Sequence, residues 1–302
     1  MAPLVSVITA TYNRSNILRY AIASVRSQTL TDWELIVVGD QCTDDTEAVV
    51  ASFADPRIRF INLPENFGEQ SGPNNVGLEA ARGRFLAFLN HDDLWFPDHL
   101  SRAVETLEQT GAELVLAVGA MLHPDERVVL YGLLPKNQYD PNLFVPASGW
   151  VFRRELYEGI GGWRPARTLW VYPSYDWLLR VYRTGSRIAG TQSLSWLALP
   201  SGSRRNSYRD RAYLEHEQVY RQLGSDPDFR AQLLLKVSQF YIDQEYSYRI
   251  RAFFWQAWKN FCKRLLIGLG FVPLELRFRW KHRRKGDHIR ALRQIRGLPT
   301  QD

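Results

Sequence analysis

RGRFLAFLNHDDLWFPDHL, residues 82–100, decides how the rest of this chain is read. Phe85 to Leu89 is a short continuous apolar run, the pattern of a strand buried on both faces. It delivers an acidic turn, Asn90-His91-Asp92-Asp93, and a helix follows at once, with Pro97 suited to its first turn. Two adjacent carboxylates at the end of a buried strand repel each other unless a cation sits beside them. A hard divalent ion, Mg2+ or Mn2+, answers that need, because it takes oxygen ligands and keeps room for substrate phosphates. Taken alone, the turn also reads as a helix cap with a solvated acid pair.

Upstream, strand and helix signals alternate. VSVITAT (5–11), WELIVVG (33–39) and RIRFINL (57–63) are β-rich apolar runs. Between them, Leu18, Ile22 and Val25 share one side of a helix, and Thr43 caps a second helix with acids in its first turn. Residues 72–83 read as a third helix, ending at Gly83. Such alternation implies an α/β fold with a mostly parallel central sheet and helices on its faces. Ligands of these sheets bind outside the carboxyl ends of the strands. The polar clusters there are the site candidates: Thr11 to Arg14, Asp40 to Asp45, and Asn90 to Asp93.

Asp40 ends a strand as acidic residues do that read a ribose hydroxyl or a base N–H; its plainer reading is a turn aspartate. In TATYNR (9–14), Tyr12 offers a ring for base stacking and Arg14 a charge for phosphate. The plainer reading of Tyr12 is a loop side chain packed on the core. Neither G-x-G-x-x-G nor G-x-x-x-x-G-K-[ST] occurs, so a Rossmann dinucleotide site and a P-loop lose their main support.

Four stretches together resemble family 2 glycosyltransferases of the GT-A fold, over about residues 4–200: VSVITATYNR (5–14), DWELIVVGDQCTDDT (32–46), GPNNVGLEAARGRFLAFLNHDDLWFPDHL (72–100) and VFRRELYEGIGGW (151–163). The resemblance implies a GT-A nucleotide-binding catalytic domain, taken here as 1–207. It also implies an inverting transfer of a sugar from a nucleotide-diphosphate donor to a hydroxyl acceptor. One carboxylate takes the acceptor proton, and a divalent metal stabilises the leaving phosphates. Carried over by motif, Thr11, Tyr12 and Arg14 form the first nucleotide-binding loop and Asp40 contacts the base. Asp92 binds the metal with Asp93 beside it, and Asn75 and Asn90 belong to the donor site. Asp176, in YDWLLRVYRTG (175–185), is the expected general base, kept ionised by its place at a helix N-terminus; its plainer reading is a helix cap.

Several positions depart from the family pattern. Gly39-Asp40 replaces an acidic pair, Asn90 replaces an aspartate, and Asn74-Asn75 replaces Arg-Asn, which removes an expected phosphate cation. Pro173 and Ser174 stand where an acidic pair often precedes Asp176. Arg204 or Arg205, in the loop PSGSRRNSYRDR (200–211), is expected to supply the missing cation, and that loop has no histidine for a metal. His91 is expected to be structural, because neighbouring side chains on an extended turn seldom face the same way. A sugar-phosphate nucleotidylyltransferase is disfavoured, since its opening loop is Gly-rich and TATYNR has no glycine. A catalytically degenerate scaffold of the same fold is the alternative that these departures leave open.

The second half reads as strands at 113–120 and 127–134, a turn at Gly161-Gly162, a helix over about 175–184, and helices from Tyr208 to about Leu269. The segment 208–302 is expected to be a helical, basic extension. Residues 249–302 hold 14 Lys and Arg against 3 Asp and Glu, so in a chain of net charge +6 the remainder is mildly acidic. Trp258, Phe261 and Leu265 share a helical face with Phe254, opposite Gln256, Lys259 and Lys263, and the basic run RFRWKHRRKG (277–286) follows. This combination suits an anionic membrane surface, with a glycan or lipid-linked acceptor; packing of that helix on the catalytic domain is the alternative. No nucleic-acid motif accompanies the charge. No signal peptide or confident transmembrane span is read. Cys42 and Cys262 have no metal-type or disulfide spacing, which fits a cytoplasmic protein, peripheral on the inner face of the membrane.

Overall fold

The computed structural model describes residues 2–123, 127–199, 205–211, 215–246, 250–282 and 284–299; for 242–246, 250–254 and 256 it describes the backbone alone. The first half runs β1 (Val5–Thr11), α1 (Ser15–Arg26), β2 (Trp33–Gly39), α2 (Thr46–Ala51), β3 (Ile58–Asn62), α3 (Ser71–Ala80) and β4 (Phe85–Phe88). Every residue of β1, β2 and β4 is buried, as expected of strands covered on both faces. These strands pair in parallel in the order β3-β2-β1-β4.

The sheet then changes character. After β5 (Asp93–Trp95), α4 (His99–Thr110), β6 (Leu114–Leu122) and β7 (Val128–Tyr131) come β8 (Trp150–Arg153), α5 (Arg154–Ile160), α6 (Pro173–Arg183) and β9 (Ile188–Ala198). β8 lies between β4 and β6 and is antiparallel to both. β9 runs parallel to β6 and antiparallel to β5, giving β3-β2-β1-β4-β8-β6-β9-β5 with β7 on β6. β8 and β9 are not expected from sequence. The four residues of β8 are too few to show a period, and β9 is interrupted by Gly190, Ser193 and Ser195.

Alternate residues of the strands feed two cores. Val5, Val7, Leu35 and Val37 pack with Leu18, Ile22, Leu100 and Leu107 of α1 and α4. Ile8, Ile36 and Val38 pack with Leu78 of α3 and with Trp150, Trp163 and Trp177. Gly77 lets α3 lie close on β1: a Cβ there would stand 2.4 Å from Cγ2 of Ile8.

The remaining chain forms α7 (Ser207–Asp210), α8 (Glu215–Ser225), α9 (Phe229–Tyr246), α10 (Ile250–Gly268), α11 (Pro273–Lys281) and α12 (Asp287–Arg296). The expected boundary after residue 207 falls inside α7, whose Ser207 is buried. Val219, Phe229, Leu233 and Val237 cover Leu94, Leu194 and Leu197 of the sheet. By contrast, the described side chains of α10 are nearly all exposed, including Trp258, Phe261 and Leu265. At the start of α11 and within it, Val272, Leu274 and Phe278 pack against Val171, Tyr172 and Tyr175, while α12 packs on α7 and, through His288, on Tyr172. Among the described residues no helix is long and apolar enough to cross a membrane.

Candidate active site

The carboxyl ends of β1, β2 and β4 open into one cleft of about 410 Å³, lined by Thr11, Tyr12, Asp40, Asn90, Asp92 and Asp93. Gly68 to Gln70, before α3, and Tyr172 to Ser174, at the start of α6, form its sides. Tyr208 and one face of α12 close over it.

At the β2 end, the Asp40 carboxylate accepts the N–H groups of Phe67 at 2.7 Å and Gly68 at 2.9 Å, and the Asn66 amide at 3.2 Å. Burial nevertheless raises its pKa to about 6, because desolvation of the charge outweighs these bonds. The Thr11 hydroxyl, at the end of β1, is buried without a hydrogen-bond partner among the described residues. The ring of Tyr12 stacks loosely on Tyr208, with centroids 6.4 Å apart.

At the β4 end, Asp92 is half-buried and lines the cleft, and its backbone carbonyl accepts from Nε2 of His216 at 3.1 Å. Asp93 also borders the cleft but is 4% exposed. Its Oδ2 accepts from Oγ of Ser148 at 2.5 Å and from Nδ2 of Asn90 at 2.8 Å. Burial, with Asp92 beside it, drives its pKa upward. Asp93 therefore ties the turn to Ser148 and Asn90 through Oδ2, and the half-buried Asp92 is the more exposed of the two expected metal ligands. Asn90 is likewise occupied, by Asp93 and by Gln70. His91 is buried, with Nδ1 donating to the carbonyl of Ala10 at 3.1 Å and Nε2 facing the Tyr208 hydroxyl at 3.4 Å. Burial lowers its pKa, so it is neutral.

Among the described residues no group of three His, Cys, Asp or Glu could hold a metal ion. A single cleft carboxylate, Asp92, still fits Mg2+ or Mn2+, which often bind through one or two carboxylates completed by water and substrate phosphates.

Four expected site residues lie elsewhere. Arg14 is fully buried and donates to the carbonyl of Ser207 at 2.5 Å, under the ring of Tyr208. Asn75 clamps the backbone of Trp163, donating to its carbonyl at 2.9 Å and accepting its N–H at 2.7 Å. Arg205 is exposed and does not line the cleft, because the turn at Asn206 binds Ile295 through its N–H at 2.8 Å; Arg204 lies outside the described residues. Asp176 is buried off the cleft and paired with Arg180, Oδ2 to Nε at 3.1 Å. Ser174 lines the cleft in its stead. Two residues along a helix is a rotation of about 200°, which turns Asp176 to the far side of α6.

Sequence reasoning misses Ser148, Glu69, Tyr208, His216 and all of α12. The signal for α12 was present: Asp287 in the first turn, Ile289, Leu292 and Ile295 at helical spacing, and Gly297 as a left-handed cap with φ 75°. The basic residues around it obscure that pattern.

The glycosyl transferase family 2 model matches residues 6–161. The succinoglycan biosynthesis protein ExoO of Rhizobium meliloti is 40% identical over 114 residues, 38% of this chain and 32% of that protein. The UDP-Glc:alpha-D-GlcNAc-diphosphoundecaprenol beta-1,3-glucosyltransferase WfgD of Escherichia coli is 36% identical over 104 residues, 34% of this chain and 41% of that protein. The chain thus aligns with 32% and 41% of the length of these two relatives. Among solved structures, S. aureus TarS 1–349 in complex with UDP-GlcNAc superposes with a TM-score of 0.57 at 19% identity, covering 80% of this chain and 72% of TarS. The mannosyltransferase PcManGT of Pyrobaculum calidifontis, in complex with GDP-Man and Mn2+, gives 0.54 at 17% identity over 98% and 88%. With the family model matched over more than half of its length and the GT-A architecture in place, the chain belongs to glycosyl transferase family 2.

Proposed function

We propose that this protein transfers a sugar from a nucleotide-diphosphate donor to a hydroxyl of a glycan or lipid-linked acceptor, with inversion at the anomeric carbon. The observation that carries the reading is the cleft itself: Thr11, Tyr12, Asp40 and Asp92, from three adjacent strand ends, line one volume large enough for a nucleotide sugar. Asp40 receives the base or ribose, and Thr11 offers an unpaired hydroxyl to the same part of the donor. A divalent ion on Asp92 and the donor phosphates would neutralise charge on the departing diphosphate.

A proton acceptor is needed for the attacking hydroxyl, and Asp176 is out of reach. Among the cleft carboxylates, Asp40 belongs to the base end, Asp92 to the phosphates, and Asp93 is only 4% exposed, less than the half-buried Glu69. Glu69 remains. Three donors hold it, the Ser71 hydroxyl and the amides of Ser71 at 2.7 Å and Ala166 at 3.1 Å, which leaves one lone pair for a proton, and burial raises its pKa, which strengthens it as a base. We assign it the acceptor proton. The displacement of Asp176 also favours a second reading, a degenerate scaffold that binds nucleotide without turnover.

The two readings separate in a donor-hydrolysis assay across nucleotide sugars with Mg2+ or Mn2+. Slow release of nucleoside diphosphate, abolished by Asp92→Ala, supports the enzyme. Nucleotide binding without release from any donor supports the scaffold.

For the acceptor, α10 supplies the argument. Trp255, Trp258, Phe261 and Leu265 are each more than half exposed, interleaved with Lys259, Lys263 and Arg264. An apolar face of this kind beside a basic cluster suits an anionic bilayer, and the protein would then work at the cytoplasmic membrane surface on a lipid-linked acceptor. Vesicles containing phosphatidylglycerol should float the protein, and Trp258→Ser with Phe261→Ser should release it. Equal recovery with and without vesicles would sink the membrane reading.

A further inference from the structure

The charge inside the cleft is unbalanced. Asp40, Glu69 and Asp92 border it, with Asp93 pushed toward its neutral form by burial, whereas the only Lys or Arg among its described lining residues are Arg293 and Arg296, both on α12. A nucleoside diphosphate brings further negative charge into this space. The other expected cations do not line the cleft: Arg14 is fully buried under the ring of Tyr208, where Nη1 donates to the Ser207 carbonyl and its charge reaches His91 and Tyr208 through the wall, Asn74 carries no charge, and Arg205 is not among the lining residues. α12 also lies beyond the residues matched by the family model, 6–161.

The helix is held over the cleft at both ends. Gly286, with φ 81°, starts it and donates its N–H to the carbonyl of Leu169 at 2.9 Å. Near its other end the Ile295 carbonyl accepts from Asn206. The buried ring of His288 packs edge-on to Tyr172, with centroids 5.0 Å apart. Arg293 is 7% exposed and donates to the carbonyls of Gly68 at 2.6 Å and Pro299 at 2.7 Å. It lies within electrostatic reach of Asp40 and Tyr12. Arg296 is half-buried, 5.6 Å over the ring of Tyr208, and it and Asp92 both act on Tyr208 and His91. The two arginines are one helical turn apart, a rise of about 4.5 Å. That spacing carries positive charge from the Asp40 end of the cleft toward the Asp92 end.

We propose that α12 is part of the donor site, with Arg296 binding the diphosphate beside Asp92 and Arg293 latching the helix to Gly68 at the nucleoside end. This rests on the nucleotide-sugar reading above. A planar guanidinium can meet two phosphate oxygens at once, and in a cleft of net negative charge it offsets repulsion that would otherwise exclude the donor.

The test is calorimetric titration of the full chain with UDP, GDP, ADP, CDP and dTDP, each with Mg2+, and with the matching nucleosides. The wild type is expected to bind at least one diphosphate more tightly than its nucleoside. Arg296→Gln should weaken that diphosphate by about 10- to 100-fold and leave the nucleoside unchanged. Arg296→Lys should recover part of the loss and steepen the dependence on salt, since it keeps the charge but not the fork. Arg293→Gln should weaken diphosphate and nucleoside together, as loss of the latch requires. Wild-type diphosphate affinity in Arg296→Gln would overturn the proposal, as would an equal loss for nucleoside and diphosphate in that variant. If the wild type binds none of these probes, the donor reading fails first and takes this one with it.

Discussion

Replacing Asp176 by asparagine separates two roles for that carboxylate. In the structure its Oδ2 lies 3.1 Å from Nε of Arg180, with the two side chains only 11% and 13% exposed. Arg164 stands further off, at 3.9 Å, and is itself 59% exposed, so it adds little. Arg180 also donates to the carbonyls of Ile160 at 2.6 Å and Gly162 at 2.5 Å, which ties α6 to the loop after α5. Removing one partner of a buried ion pair costs about 3–5 kcal/mol, because the other charge is left uncompensated. Here an amide oxygen can still accept from Nε, and two carbonyls keep their bonds, so the expected loss is about 2–3 kcal/mol. That corresponds to a fall in Tm of roughly 4–12 °C. Urea unfolding gives the stability, and turnover is measured at a temperature where both proteins are folded. Turnover is expected to stay within about threefold of the wild type, whereas removing a general base would cost about 10²- to 10⁴-fold. A loss of that size with unchanged stability would refute the structural placement and return Asp176 to the chemistry. Combining the change with Arg180→Leu should show a coupling of about 0.5–3 kcal/mol if the pair is the reason for the loss.

Acidification should weaken nucleotide binding through Asp40. Its pKa is raised to about 6 from an ordinary 3.8, so the carboxylate that accepts a base or ribose proton is lost as pH falls through 6. Stability moves the opposite way: the folded state binds that proton more tightly, so the contribution of Asp40 to stability rises as pH falls from about 6 toward 4. Titrations at pH 5 and pH 7.5 on wild type and Asp40→Asn check both, and an identical pH dependence in the two proteins would contradict the assignment. Glu69→Gln should cut turnover by about 10²-fold or more while sparing nucleotide affinity, and the wild-type rate should fall on acidification because burial raises the Glu69 pKa. Gly77→Ala should destabilise by about 1–3 kcal/mol through the clash with Ile8, measurable in urea, and should leave the cleft chemistry intact.

The parts of the site legible in the sequence are those fixed by strand ends. β1, β2 and β4 are continuous apolar runs because both faces are buried, and the residues that follow them must emerge on the ligand side of the sheet. Thr11, Tyr12, Asp40 and Asp92 line the cleft for that reason. Positions on helices are less legible. Which side of α6 meets the cleft depends on how the helix is rotated against Trp150 and Phe152, and periodicity alone cannot tell Ser174 from Asp176. Arg14 and Asn75 carry polar groups that look available in the sequence, yet each is drawn to a distant backbone: Nη1 of the buried Arg14 to Ser207, and both ends of the Asn75 amide to Trp163. The role of α12 depends on a contact between residues more than two hundred positions apart, Gly68 and Arg293, for which local pattern holds no trace.

The pairing of β5 has a consequence for synthesis. The strand that follows Asp92 bonds in the sheet to β9, Asp93 opposite Ala198, about a hundred residues later in the chain. At a translation rate of roughly 5–20 residues per second, the β3-β2-β1-β4 half can assemble while β5 waits roughly 5–20 seconds for its partner. During that interval Leu94 and Trp95, both buried in the finished protein, have no sheet to enter. The turn that carries Asp92 is therefore fixed late on the ribosome, and the emerging chain passes through a stage in which this apolar strand is open to chaperones or to a neighbouring nascent chain.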